Sequence, residues 1–103
     1  MEKIIKGTQI KINVHMEAFE GVHFADVPFT CTVITRGKRV KMDKSELIQV
    51  DADNYVALLD TAKLGLEDIT LMIEAEFDDS DFESGIRKEV CMVETGLFIV
   101  PWK

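Results

Sequence analysis

The densest set of potential ligands in the chain is the acidic stretch Asp78-Asp79-Ser80-Asp81-Phe82-Glu83-Ser84-Gly85. Asp79, Asp81 and Glu83 recur at alternate positions, as at the start of a calcium loop, where one short segment supplies several carboxylate oxygens to a hard cation. The spacing then departs from that chemistry. The glycine needed for the sharp turn comes one place late, at Gly85, and the twelfth position from Asp79 is Val90 in place of a bidentate Glu. The expectation is a solvated loop over 78–85, with Asp78, Asp79, Asp81, Phe82 and Glu83 as residues that would meet a protein partner, and with neither metal nor cofactor.

The remaining reactive residue types are sparse. His15 and His23 are the only histidines; neither has a cysteine or carboxylate at ligand spacing, and both read as surface residues. No serine stands in a nucleophile-elbow glycine context, and there is no glycine-rich phosphate loop. Cys31 and Cys91 lie far apart in two strand-like segments, as the bridged pair of an immunoglobulin domain would. No Trp follows Cys31 at the usual distance, and Glu89 stands where Tyr would precede the second cysteine. Two reduced thiols acting as small hydrophobes is the expectation. Catalysis is therefore the least supported class.

With 103 residues, 47% hydrophobic and 30% charged, the chain reads as one domain over 1–103, able to bury a core without disulfides or metals. Its apolar runs are too short to cross a bilayer, and its start has charges on both sides of Ile4-Ile5, which is not a secretory signal. A cytoplasmic location in the producing cell is expected. A net charge of −7 argues against general nucleic-acid binding. Arg36, Lys38, Arg39 and Lys41 are the one basic group, and they straddle a turn at Gly37 where solvated charge is the ordinary outcome.

These side chains must be positioned by strands. Ile69, Leu71, Ile73, Ala75 and Phe77 alternate with Thr70, Glu74 and Glu76, and Ile10, Ile12, Val14 and Met16 alternate over 8–17; both are the period of a sheet wetted on one side. Further strands are predicted over 29–35, 39–42, 47–50, 55–59, 87–93 and 97–100, the last two separated at Gly96. Asp60 or Thr61 would cap a single helical turn over 60–65, which Gly65 would end with a positive φ. Phe19, Phe24 and Phe82 fall in loops and, with Trp102, have two readings, an exposed recognition surface or, as is commoner for loop aromatics, folding back over the ends of the sandwich. About seven strands with a turn signal every eight to twelve residues predict an all-β antiparallel sandwich.

The order of Lys6-Gly7-Thr8 opening an alternating strand, then the 51–55 turn, then Leu59-Asp60-Thr61-Ala62-Lys63-Leu64-Gly65 leading into a long strand, resembles small immunoglobulin-like proteins of tailed phages and prophages. The nearest likeness is to the N-terminal domain of upper baseplate proteins and to short proteins of prophage-like loci in gut Bacteroides. In that family the strand after the short turn follows a glycine and carries an aromatic, whereas Glu67-Asp68 stand here. The resemblance implies an immunoglobulin-like fold, no catalytic residues, and a structural role in a tail or baseplate. A virion location would then apply. The implied partners are proteins, including further copies paired through sheet edges, and not nucleic acid, membrane or a small molecule. Two other classes stay open: an acidic inhibitor using Glu67, Asp68, Glu74, Glu76 and the 78–85 loop to occupy a basic cleft, and a carbohydrate-binding module.

Overall fold

The alternation of Ile69, Leu71, Ile73, Ala75 and Phe77 becomes the buried face of one long strand, each of these side chains being at most 5% exposed. The structure is a computed structural model in which residues 2–15 and 22–101 are described. Met16, Phe19 and Trp102, named above, lie outside the described residues.

Among the described residues eight strands form two sheets. They are β1 (Glu2–Ile5), β2 (Gln9–His15), β3 (Phe29–Arg36), β4 (Lys38–Asp43), β5 (Ile48–Gln49), β6 (Asn54–Asp60), β7 (Leu66–Asp78) and β8 (Ile86–Val100). A five-stranded sheet in the order β1-β8-β7-β3-β4 faces a three-stranded sheet in the order β2-β6-β5. With β2, β3, β4, β5, β6, β7 and β8 taken as strands B, C, C′, D, E, F and G, this is the immunoglobulin arrangement of G-F-C-C′ over B-E-D. Among the described residues no strand occupies the lane outside β2, where an immunoglobulin sheet carries its first strand.

The core lies between the sheets. Ile12 and Val14 of β2 and Tyr55, Ala57 and Leu59 of β6 meet Phe29, Cys31 and Val33 of β3 and the buried face of β7. At one end Phe29 packs edge-on against Tyr55 at 5.1 Å and against Phe24 at 5.8 Å, and Phe24 meets Phe77 at 6.0 Å. These T-shaped contacts suit the ring quadrupoles and seal that end. Phe24 thus folds back, the commoner of its two readings.

Several sequence expectations need correction. Strand β1 was not anticipated, because Ile4-Ile5 is too short to show a period. It forms because Glu2 to Ile5 pair, in parallel, with Leu97 to Val100, so the sandwich is not wholly antiparallel. The segments 87–93 and 97–100 are one strand. Asp68 opposes Phe98 and Thr70 opposes Glu94, so extra residues of β8 are accommodated opposite Ile69. Gly96, at φ 77°, marks that bulge and not a strand end. Thr95 Oγ1 donates to the Ile69 carbonyl at 2.8 Å and accepts from the Leu97 amide at 3.2 Å, holding it in place. Three 3-10 turns are present, at Phe24–Asp26, Lys44–Glu46 and Thr61–Lys63, where one turn was expected. Asp60 does cap the last, accepting from the Ala62 amide at 3.0 Å. The positive φ, however, belongs to Glu67 at 68° and not to Gly65.

Candidate functional site

The acidic loop is the tip of the β7–β8 hairpin, and one of its carboxylates, Asp79, is engaged in closing it. Asp79 Oδ1 accepts from the Asp81 amide at 3.0 Å and Oδ2 accepts from Arg87 Nη1 at 3.1 Å. Backbone bonds from Asp79 N to Gly85 O at 2.9 Å and from Gly85 N to Phe82 O at 2.8 Å close the tip. Asp78, Asp81 and Glu83 point to solvent, and Phe82 is 49% exposed, so this ring does not fold back over the sandwich. Among the described residues no three His, Cys, Asp or Glu side chains are arranged to hold a metal ion. What the tip offers is an exposed aromatic ringed by carboxylates.

Behind the tip, β8 is exposed almost continuously from Ile86 to Glu94. Val90 is 55% and Met92 56% exposed on the outer face, and Val93 and Cys91 on the inner face are exposed as well. On the inner face the cause is that, among the described residues, no strand lies outside β2. With no strand there to cover this half of β8, a cleft of about 350 Å³ opens between the sheets, floored by Leu71, Val93 and Leu97 and walled by Ile12 and Val14. Because β8 runs for 15 residues, at about 3.4 Å per residue it spans the 52 Å long axis.

The direction of the backbone groups of β8 follows from the ladder. Glu76 N donates to Pro28 O at 3.1 Å, so even-numbered residues of β7 bond to β3 and odd-numbered ones bond to β8. The Asp79 to Gly85 bond keeps the same phase. Ile73 therefore exchanges bonds with its opposite, Cys91, and Leu71 with Val93. The N–H and C=O groups of Lys88, Val90, Met92 and Glu94 point the other way, to the outer edge. There β1 pairs only from Leu97 onward, and Ser84 Oγ bonds both the amide (3.3 Å) and the carbonyl (3.2 Å) of Ile86. Between those limits the edge is unpaired among the described residues.

The other sheet edges differ from this one, in which Lys88 and Glu94 put charge at the two ends of the open stretch but not at its centre. The edge strand β4 carries Lys38, Arg39 and Lys41. The edge groups of β2 belong to Gln9, Lys11, Asn13 and His15, since the Thr61 amide donates to the Thr8 carbonyl at 3.2 Å and sets the opposite phase. Strand β5 is only two residues long. Charged side chains and short length are the ordinary guards against edge pairing, and β8 has Val90 and Met92 at the centre of its open stretch instead.

The other residues singled out from the sequence are accounted for locally. His15 Nδ1 lies 2.8 Å from Asn54 Oδ1 and His23 Nδ1 lies 3.1 Å from Asp53, so each histidine has its own partner. Arg36, at the end of β3, is ion-paired with Glu67 at the start of the neighbouring strand β7. Cys31 is fully buried, and burial pushes its thiol up to about 11; Cys91 is a second free thiol, exposed on β8. Lys88 Nζ meets Glu74 at 2.7 Å on the outer face, a contact that lowers the Glu74 carboxyl and raises the Lys88 ammonium. No helix among the described residues is long and apolar enough to cross a membrane.

The sequence placed the hairpin tip but missed the edge beside it. The signal that could have found it is the run Val90-Cys91-Met92-Val93, apolar at every position in a strand whose neighbours alternate. No family model, curated protein or solved structure matches the chain.

Proposed function

We propose that the domain is a non-enzymatic docking module, an assembly part that receives a strand of a protein partner along β8 while the Phe82 tip makes side-chain contacts. The observation that carries this reading is the edge at Lys88, Val90, Met92 and Glu94, unpaired among the described residues and with exposed apolar side chains at its centre. An edge of this kind supplies backbone hydrogen bonds for affinity, and alternate side chains supply selectivity. The tail or baseplate of a phage or prophage particle is the setting that the sequence resemblance supports, and an immunoglobulin-like strand order agrees with it.

The acidic-inhibitor reading is weaker, because Glu67, Glu74 and Asp79, which would supply the mimicking charge, are each ion-paired in place. A carbohydrate platform finds one exposed ring, Phe82, among the described residues, while Phe29, Tyr55 and Phe77 are buried.

Particles released on induction of the producing strain, purified on a gradient and analysed by mass spectrometry, test the setting. The protein should co-sediment at a fixed ratio to the tail components. Particles without it, with the protein left in the soluble fraction, would remove the phage reading.

A further inference from the structure

We propose that the occupant of the β8 edge is a second copy of this chain, paired antiparallel with its twin about a two-fold axis at Cys91. This rests on the reading of β8 as a docking edge and adds the partner and the register. The open stretch is bounded at one end by β1, which takes the lane from Leu97, and at the other by Ser84, which satisfies Ile86. The residues whose backbone groups face outward between those bounds are Lys88, Val90, Met92 and Glu94, and their midpoint is Cys91.

An antiparallel self-pairing that uses all of them has a single register. Lys88 then opposes Glu94 of the second copy and Val90 opposes Met92, each as a hydrogen-bonded pair, with the same contacts repeated across the axis. Opposite charges meet opposite charges and apolar meets apolar, which is the favourable case for cross-strand pairs. Shifting the centre to Val90 sets Lys88 against Met92 and Glu94 against Ile86, whose backbone groups Ser84 already satisfies; shifting it to Met92 sets Val90 against Glu94 and Lys88 against Gly96 of the bulge. Only the Cys91-centred register matches both charge and polarity. Glu74, on the neighbouring strand, already holds the Lys88 ammonium from one side at 2.7 Å, and Glu94 of the second copy would approach it from the other. The two five-stranded sheets become one continuous sheet, and the most exposed apolar side chains of β8, Val90 and Met92, lie against each other.

In this register the two Cys91 residues form a non-hydrogen-bonded pair, with Cα atoms about 4.5 Å apart, inside the range a disulfide spans. That supplies the test. Diamide accepts the two hydrogens of a thiol pair, so it should link the full-length protein through Cys91 in a concentration-dependent dimer that light scattering also detects. Lys88→Glu and Glu94→Lys each place like charges opposite one another twice, and each should weaken the dimer by roughly tenfold or more. Mixed together, the two variants present Glu against Lys at every charged position and should recover the Cys91-linked pair as a heterodimer. Met92→Pro removes an outward N–H without touching the β7 ladder and should abolish the dimer in a folded protein.

A dimer unaffected by these changes, or a protein that stays monomeric and unlinked at every concentration, would overturn the self-pairing. A synthetic peptide of residues 86–95 separates that failure from failure of the docking edge itself. Peptide that slows amide exchange at Lys88, Val90, Met92 and Glu94 in a monomeric protein leaves the edge reading standing with another strand as occupant. No protection there would overturn both.

Discussion

Gly65 lies so close to Arg36 that a Cβ at residue 65 would sit 2.0 Å from the Arg36 carbonyl oxygen. The same stretch is tied by the Gly65 amide, which donates to Thr35 Oγ1 at 2.7 Å, while that hydroxyl donates onward to the Lys38 carbonyl at 3.1 Å. The entry to β7 is thus packed against the end of β3 backbone to backbone. Gly65→Ala must push these strands apart, and a loss on the order of 3 kcal/mol is expected in urea unfolding. A loss below about 1 kcal/mol would mean that the contact yields easily.

Thr61 plays the corresponding part at the other sheet. Its side chain is fully buried, donates to the Thr8 carbonyl at 2.7 Å and accepts from the Gly7 amide at 2.9 Å, pinning the β1–β2 turn to the end of β6. Thr61→Val keeps the shape and removes both bonds. The expected cost is about 1–3 kcal/mol, with faster amide exchange at Gly7, and an unchanged Gly7 exchange rate would contradict the assignment.

Tyr55 is the reverse case. It is 2% exposed and its hydroxyl has no hydrogen-bond partner among the described residues, so the core carries the desolvation cost of a polar group with no return. Tyr55→Phe should therefore stabilise the domain, by about 1 kcal/mol, and keep the edge-on contact with Phe29. Destabilisation of that size would show that the hydroxyl is bonded in solution.

Acid should weaken the Glu74 contact on the outer face of the larger sheet and the 51–54 turn of the smaller one. The hydrogen bond to Lys88 holds the Glu74 carboxyl below its ordinary 4.5, and bonds from the Asp53 amide and the Asn54 side chain hold Asp51 below 3.8. A carboxyl lowered on folding binds fewer protons folded than unfolded. Its contribution is present above the ordinary value and is lost as pH falls through the lower, folded one. Thermal unfolding of wild type and Glu74→Gln between about pH 6 and about pH 3 should show a gap that narrows on acidification. A constant gap would assign the effect of the substitution to something other than the Lys88 contact.

The sandwich was legible in the sequence because a buried sheet face writes itself at period two, as in β7 and β2. Features set by distant neighbours were not. Ile4-Ile5 reads as nothing until the last strand arrives beside it. Gly65 was read as a turn glycine needing positive φ; the structure needs it for lack of a side chain near Arg36. Glu67 takes the positive φ, where the resembling family has a glycine nearby. The hairpin tip was located by its composition, since Asp and Gly favour turns wherever they sit. The open edge was invisible for a different reason. Exposure of Cys91 and Val93 follows from a strand that, among the described residues, does not lie over them, and a local pattern cannot record which neighbour a strand lacks.

The pairing of Glu2 with Leu97 joins residues from opposite ends of the described chain, the most distant in sequence of any strand contact in the fold. Loop closure makes such contacts late arrivals during folding. Until β1 docks, the bare margin of β8 continues from Lys88 through the bulge to Val100, so a refolding molecule exposes a longer adhesive margin than a finished one. Refolding yield should then fall as protein concentration rises, even where the finished domain stays in solution. Docking of β1 then shortens the bare margin to the stretch from Lys88 to Glu94.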